Sequence, residues 1–271
     1  MSPGPFEIRP MTGLVGAGIH GIDLAHVETD DTWETLSATL TKHGVIFFRA
    51  QNLTPADQIA FASRLGNIVP TANLQKAEGQ NLIDEVRKEP ADTRALGDTW
   101  HTDQSFQAKP PRYTILYARE LPPFGGDTLF ISMAAAYEAL SNGMKQTLAG
   151  LRAIHLDSSQ YGGTRNNETA ADLKRSTHPV VVRLPDTGRQ ALYVNPDKTV
   201  RFEGWTKEES EGLLGYLYEH AQKPEFGCRF MWQQGSMGVW DNYQTWHYAV
   251  NDYPGNRRVM HRITVGSTMF S

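Results

Sequence analysis

Cysteine is almost missing from this chain: Cys228 is the one thiol in 271 residues. That scarcity excludes an internal disulfide framework and a zinc site built on cysteines, and it fits a reducing compartment. Long apolar runs are missing too, and nothing approaches the roughly 18–20 residues that a membrane-spanning helix needs. The opening MSPGPFEIRP lacks the basic and apolar stretches of a secretory leader. A soluble, cytoplasmic protein with no membrane partner is therefore expected. Positive charge is nowhere concentrated: 26 basic and 30 acidic residues are interspersed, for a net charge of −4. Nucleic-acid binding through charge is accordingly not expected. The chain has no internal repeat and no low-complexity block, and its 39% hydrophobic content suffices for a sizeable core.

What is present reads as mostly β. VIFFRA, NLIDEV, RYTILYARE, DTLFIS, LRAIHLD, HPVVVRL, QALYVN, CRFMW, SMGVWDN and RVMHRITVGS are short β-branched or aromatic runs bounded by turn residues. TGLVGAGIHGIDL reads as a glycine-interrupted strand pair. Three helices carry end signals. DDTWETLSATLTKHG has apolar residues at helical spacing and Gly44 as C-cap. LTPADQIAFASRLG starts with Thr54 as N-cap and Pro55 at the first helical position, and stops at Gly66. Thr206 and Glu209 form a capping box ahead of an apolar face of Leu213, Leu214, Leu217 and Tyr218. The polar stretch from about 158 to 177 reads as a lid-like excursion. With no linker in view, the expectation is one domain over 1–271: a β-sandwich or jelly roll with flanking helices.

The chemistry-bearing stretch is DTWHTDQSF, with His101 and Asp103 two residues apart. On a strand, such residues share a face and could reach one ion; imidazole with carboxylate suits iron, manganese or zinc. Alone, such a pair is more often a buried histidine oriented by an aspartate, but three further features shift the balance. His247, in WDNYQTWHYAV, offers a third ligand, and two histidines with one carboxylate make the facial set of non-haem iron oxygenases. Arg258 and Arg262, four residues apart, would share a strand face, and guanidinium forks suit carboxylates. Thr128, opening the strand in GGDTLF, could donate its hydroxyl to the same carboxylate. Other candidates have blander readings. Trp100 and Trp240 are read as packing, Asp241 and Asn242 as holding the turn before His247, and His155 and His178 as partly buried strand-end histidines. His261 is expected to face away from the two arginines, Cys228 to be inert, and GAGIHG to bind no phosphate because no helix follows it.

At this point the sequence resembles the family of Fe(II)- and 2-oxoglutarate-dependent oxygenases that contains taurine dioxygenase and the phenoxyalkanoate dioxygenases. WHTDQSF, PPRYTILYARELPPFGGDTLF, AAAYEALS, THPVVV, WDNYQTWHYAVNDYPGNRRVMHRITV and the opening GAGIHGIDL carry the resemblance, in order, over nearly the whole chain. It implies a cupin-like double-stranded β-helix, or jelly roll. His101, Asp103 and His247 become the catalytic iron ligands, Thr128 and Arg258 the holders of the 2-oxoglutarate co-substrate, and Arg262 the anchor of an anionic substrate. It also implies dioxygen as oxidant and a homo-oligomer, dimer or tetramer. The reaction would be hydroxylation of a C–H bond, often with cleavage to an aldehyde or ketone, releasing succinate and CO2. Where a taurine-type pocket places groups for the ammonium, this chain has Thr71, Leu74 and Gly97. The expected substrate is therefore a larger, less polar anion: an aryloxyalkanoate, an alkyl sulfate or a sulfonate. A taurine-type sulfonate dioxygenase, a zinc hydrolase on the same triad, and a catalytically silent jelly roll binding a small anion remain as alternatives.

Overall fold

Side-chain alternation on one long strand, β5 (Tyr113–Glu120), sets the layering. Tyr113, Ile115 and Tyr117 face one apolar cluster, while Leu116 and Ala118 face another, because successive strand residues point to opposite faces. The same split recurs on β3 (Val45–Phe48) and β15 (Arg258–Val265): Ile46, Phe48, Ile263 and Val265 on one side, Val45, Phe47 and Met260 on the other. The computed structural model describes residues 6–27, 29–71, 74–157 and 174–266.

These strands belong to a seven-stranded sheet ordered β1-β2-β3-β13-β5-β15-β4, with β1 (Glu7–Pro10), β2 (Ala17–His20), β4 (Asp84–Lys88) and β13 (Met237–Asp241) as its other members. One face is covered by α1 (Asp30–His43) and α2 (Pro55–Leu65), whose Leu36, Leu40, Phe61 and Ala62 join the outer cluster. Against the inner face lies a three-stranded sheet: β6 (Thr128–Ser132) at its centre, flanked by β12 (Gly227–Phe230) and β14 (Thr245–Ala249). Phe47 stacks on Phe230 at 4.0 Å between the sheets. This face-to-face pairing is the jelly roll expected from the sequence. Smaller sheets built from β7 (Arg152–Leu156), β8 (Arg175–Pro179), β9 (Val181–Arg183), β10 (Gln190–Leu192) and β11 (Thr199–Phe202) pack with α3 (Met133–Glu138), α4 (Asn142–Leu148) and α5 (Lys207–Ala221) around a third cluster.

The end signals act where the sequence places them. Thr54 and Thr206 accept from the backbone N–H of Asp57 and Glu209, and both boxes close reciprocally. Gly44 ends α1 at φ +73° and donates its N–H to the Leu40 carbonyl. Other expectations need correction. The first hairpin pairs β1 with β2, so its leading strand lies upstream of the glycine-rich stretch. WDNYQTWHYAV holds a turn and a separate strand, β14: the Asp241 carboxylate accepts from the Tyr243 N–H at 3.0 Å and its carbonyl accepts from the Thr245 hydroxyl at 2.8 Å, which reverses the chain after β13. Of the polar excursion, 175–177 lie in β8 and 158–173 fall outside the described residues.

His155 and His178 are more buried than expected, at 0% and 3% exposure. His155 Nδ1 meets Ser105 Oγ at 2.9 Å, and its ring packs edge-on to His178 at 5.4 Å. Burial, then the proximity of His178, pushes His155 down to about 3.

Two consequences are measurable. Gly44→Ala forces a Cβ to 2.7 Å from Thr245 Cγ2 at a left-handed φ, whereas a Cβ on Gly212, inside α5, meets nothing within 4 Å among the described residues. Urea midpoints should show Gly44→Ala losing about 1–3 kcal/mol and Gly212→Ala gaining about 0.5–1 kcal/mol. The second concerns acid. His155 is neutral when folded and protonates near pH 6.5 when unfolded, so its contribution is complete above that pH and drains away as pH falls toward about 3. The loss should run at up to about 1.4 kcal/mol per pH unit. His155→Gln should flatten the stability profile between those limits, and an unchanged profile would refute the assignment.

Candidate active site

Three side chains, two from one short stretch and one from far along the chain, meet at one end of the space between the two facing sheets. His247 comes from β14, and its backbone exchanges hydrogen bonds of 3.1 and 2.9 Å with His101. That pairing stops after one bridge. Asp103 and Gln104 enter a turn, with Gln104 at φ +50°. His101 and Asp103 are thus not neighbours on a regular strand face; the bridge and the turn bring them together. One ligand atom from each of His101, Asp103 and His247 lies within 4.8 Å of the others. Asp103 Oδ1 is 3.8 Å from His101 Nε2, and Oδ2 is 3.7 Å from His247 Nε2.

The protonation pattern suits a cation. His101 Nδ1 lies 2.7 Å from the Thr99 carbonyl. A carbonyl only accepts, so that nitrogen carries the hydrogen, and in the neutral ring Nε2 keeps its lone pair. Burial, then nearby His101, pushes His247 well below its usual range, so it too offers a lone pair. Burial acts to raise Asp103, but Arg262, His247, His101 and the Thr114 hydroxyl together hold it well below the usual carboxylate range. The pocket thus presents an ionised carboxylate, a neutral His247 imidazole and the Nε2 edge of His101, a donor set that fits a divalent metal such as iron.

Two guanidinium groups face the same cavity from β15. Arg258 is 4% exposed, and its Nε and Nη2 have no hydrogen-bond partner among the described residues. Burial pushes its pKa down, against Tyr253 and Asp127. Nearby, Trp232 Nε1 donates to the Thr128 hydroxyl at 2.9 Å, so the Thr128 proton is free for another acceptor. Unsatisfied buried donors of this kind fit a carboxylate. Gly126 permits the approach, since a Cβ there would sit 3.2 Å from Arg258 Cδ. Arg262 places Nη2 2.8 Å from Asp103 Oδ1.

The cavity measures about 410 Å³. Every residue given a metal, co-substrate or substrate role from the sequence lines it: His101, Asp103, His247, Thr128, Arg258, Arg262, Thr71, Leu74 and Gly97. Thr71 is tied to Gln104, whose Nε2 donates to its hydroxyl at 3.3 Å. Gly97 does not leave spare room, because a Cβ there would lie 3.0 Å from His101 Cε1. Leu74, Val86, Leu96, Leu116 and Ala249 make the walls largely apolar. His261, as expected, turns away to Gln58. The sequence reading passed over Phe106, Asp157, Asp197 and Lys198, which also line the cavity. Lys198 pairs with Asp197 at 3.0 Å and lies over the Phe106 ring at 5.8 Å. No spacing rule ties these residues to the triad; the fold alone brings them there.

Relatives of known description share this arrangement of chain. An alkylsulfatase from Acinetobacter baylyi is 34% identical over 271 residues, covering 96% of this chain and 84% of the relative. An alpha-ketoglutarate-dependent 2,4-dichlorophenoxyacetate dioxygenase from Cupriavidus pinatubonensis is 31% identical over 277 residues, covering 94% and 96%. The crystal structure described as a putative alpha-ketoglutarate-dependent taurine dioxygenase from Burkholderia xenovorans superposes with a TM-score of 0.85 at 33% identity, covering 97% of this chain and 93% of that one. The family described as taurine catabolism dioxygenase TauD, TfdA matches residues 7–264, and this chain belongs to it.

Proposed function

We propose that this protein is an Fe(II)- and 2-oxoglutarate-dependent dioxygenase. It hydroxylates a C–H bond of a small organic anion with an apolar body, an alkyl sulfate, aryloxyalkanoate or sulfonate. The observation that carries this reading is the meeting of His101, Asp103 and His247 in a cavity that also holds two buried guanidinium groups. When bound, iron and 2-oxoglutarate supply the oxidation: one oxygen atom of dioxygen enters the substrate and the other enters succinate, with release of CO2.

The chain's own residues supply binding, orientation and dryness. His101, Asp103 and His247 would hold the metal, offering it one carboxylate and two imidazoles. Arg258 and Thr128 hold the far carboxylate of 2-oxoglutarate with donors that meet no other acceptor among the described residues. Arg262 receives the anionic head of the substrate, while Leu74, Val86, Leu96 and Leu116 shield its apolar body and keep water from the reacting carbon. When the hydroxylated carbon carries an oxygen or sulfur leaving group, the product collapses to an aldehyde or ketone. The same reading places the protein in the cytoplasm as a homo-oligomer, consistent with its single cysteine and with the family resemblance.

Three experiments test the assignment. His101→Ala, Asp103→Ala and His247→Ala should each abolish iron-dependent succinate release while keeping the wild-type circular dichroism spectrum, since a three-ligand site has none to spare; wild-type turnover by Asp103→Ala would sink it. The arginines should separate kinetically. Arg258→Ala should chiefly raise KM for 2-oxoglutarate, and Arg262→Ala should chiefly raise KM for the substrate. Each loss should be roughly 30- to 150-fold, the equivalent of about 2–3 kcal/mol for a charge-assisted contact. A panel of hexyl sulfate, a phenoxypropionate and taurine should place taurine last in kcat/KM.

A further inference from the structure

The two oxygens of Asp103 have different partners. Thr114 Oγ1 donates to Oδ2 at 2.7 Å, and Arg262 Nη2 lies 2.8 Å from Oδ1. The Thr114 bond is locked from behind. Trp240 Nε1, which can only donate, gives its hydrogen to Asn242 Oδ1 at 3.1 Å, and the Asp103 N–H meets that oxygen at 3.2 Å. Asn242 must therefore turn its amide nitrogen toward Thr114, and it donates to Oγ1 at 2.9 Å. With that donation received, the Thr114 proton points to Asp103. Thr114 is itself immobile, fully buried on β5 between β13 and β15.

Arg262 is held differently. Its approach to Oδ1 is close, yet Nη2 makes no aligned hydrogen bond among the described residues. This is a single ionic contact without the two-pronged geometry that makes arginine–carboxylate pairs strong. A buried carboxylate needs a countercharge, and Arg262 supplies one without directional bonding.

We propose that Oδ2 of Asp103 is reserved for Thr114 and Oδ1 for the metal ion. Arg262 occupies the metal's electrostatic place until the ion arrives, and metal binding then releases the guanidinium to the substrate anion. Metal and guanidinium are both cations competing for one oxygen, so the two repel at this distance. Linkage makes the coupling reciprocal: an anion that draws Arg262 off Asp103 must tighten metal binding by the same factor. Thr114 and Asn242 are positioning residues in this scheme, fixing which oxygen the ion can use.

The proposal rests on the metal-centre reading above, and binding measurements without turnover separate the two. Mn(II) uptake by the purified protein is followed by electron paramagnetic resonance, with hexyl sulfate as the anion probe and no 2-oxoglutarate. Hexyl sulfate should tighten Mn(II) binding to wild type at least fivefold, and Arg262→Met should bind Mn(II) at least tenfold more tightly than wild type and lose the hexyl sulfate effect. Thr114→Val should weaken Mn(II) and alter the visible spectrum of the Co(II)-substituted protein, with both restored by Thr114→Ser. Weaker or equal Mn(II) binding by Arg262→Met, or no response of wild type to hexyl sulfate, overturns the competition. An unaltered Co(II) spectrum in Thr114→Val overturns the role of Thr114. The wild-type measurement with hexyl sulfate needs no variant to fold. If wild type takes up no Mn(II), or His247→Ala takes it up equally well, the metal-centre reading fails and the proposal with it.

Discussion

The site depends on one constraint: Asp103 keeps an ionised carboxylate in a place with almost no water, at 6% exposure. Such a charge is tolerated only with compensating charge and hydrogen bonds. Each neighbour answers part of that demand. Thr114 donates to one oxygen, Arg262 brings positive charge to the other, and the two imidazoles stand within 4 Å. A divalent ion fits the same demand. The arrangement that tolerates the carboxylate without metal is also the one that would receive metal.

The facing sheets make this possible. β5 and β15 are the longest strands described, eight residues each, and each is paired on both sides in the large sheet. Their inner faces carry Thr114 and Leu116 on one, Arg258 and Arg262 on the other. The opposite sheet contributes Thr128 and His247 from adjacent strands β6 and β14. Hydrogen-bonded ladders on both sides leave these backbones little freedom, so the side chains they present are held to the precision that metal and carboxylate binding requires.

The cavity combines two chemistries. Its walls are apolar near the triad, while its charged groups are either paired, as Lys198 is with Asp197 and Arg262 with Asp103, or aimed inward without a partner among the described residues, as Arg258 Nε and Nη2 are. Leu74, Val86, Leu96, Leu116 and Ala249 offer no acceptor to an ammonium and suit the apolar body of an anion, whose charged head the guanidinium groups can meet. The Arg258 donors that meet no partner among the described residues suit a bound acceptor, since buried polar groups are as a rule hydrogen-bonded.

Local chemistry was legible in the sequence wherever it acts over a few residues. The capping threonines, Gly44, most of the strands and the apolar face of α5 follow from short-range rules of backbone geometry and periodicity, and they stand where those rules place them. His101, Asp103, His247, Arg258 and Arg262 were nameable too, because ligand chemistry and the family resemblance both restrict the residue types. Three matters were decided only in three dimensions. The His101 bridge and the turn at Gln104, not a strand face, set the approach of Asp103, because a residue's conformation there answers to a partner over 140 positions away. Gly97 has no side chain to place in the pocket, and only the fold shows that it is packed against His101. Thr114 has no motif to mark it: it is one of two β-branched residues in β5, and only the folding of β5 beside Asn242 and Asp103 directs its single proton. Periodicity tells which face a side chain takes; which atoms meet across the gap between two sheets depends on register and twist, and those exist only once the sheets have packed.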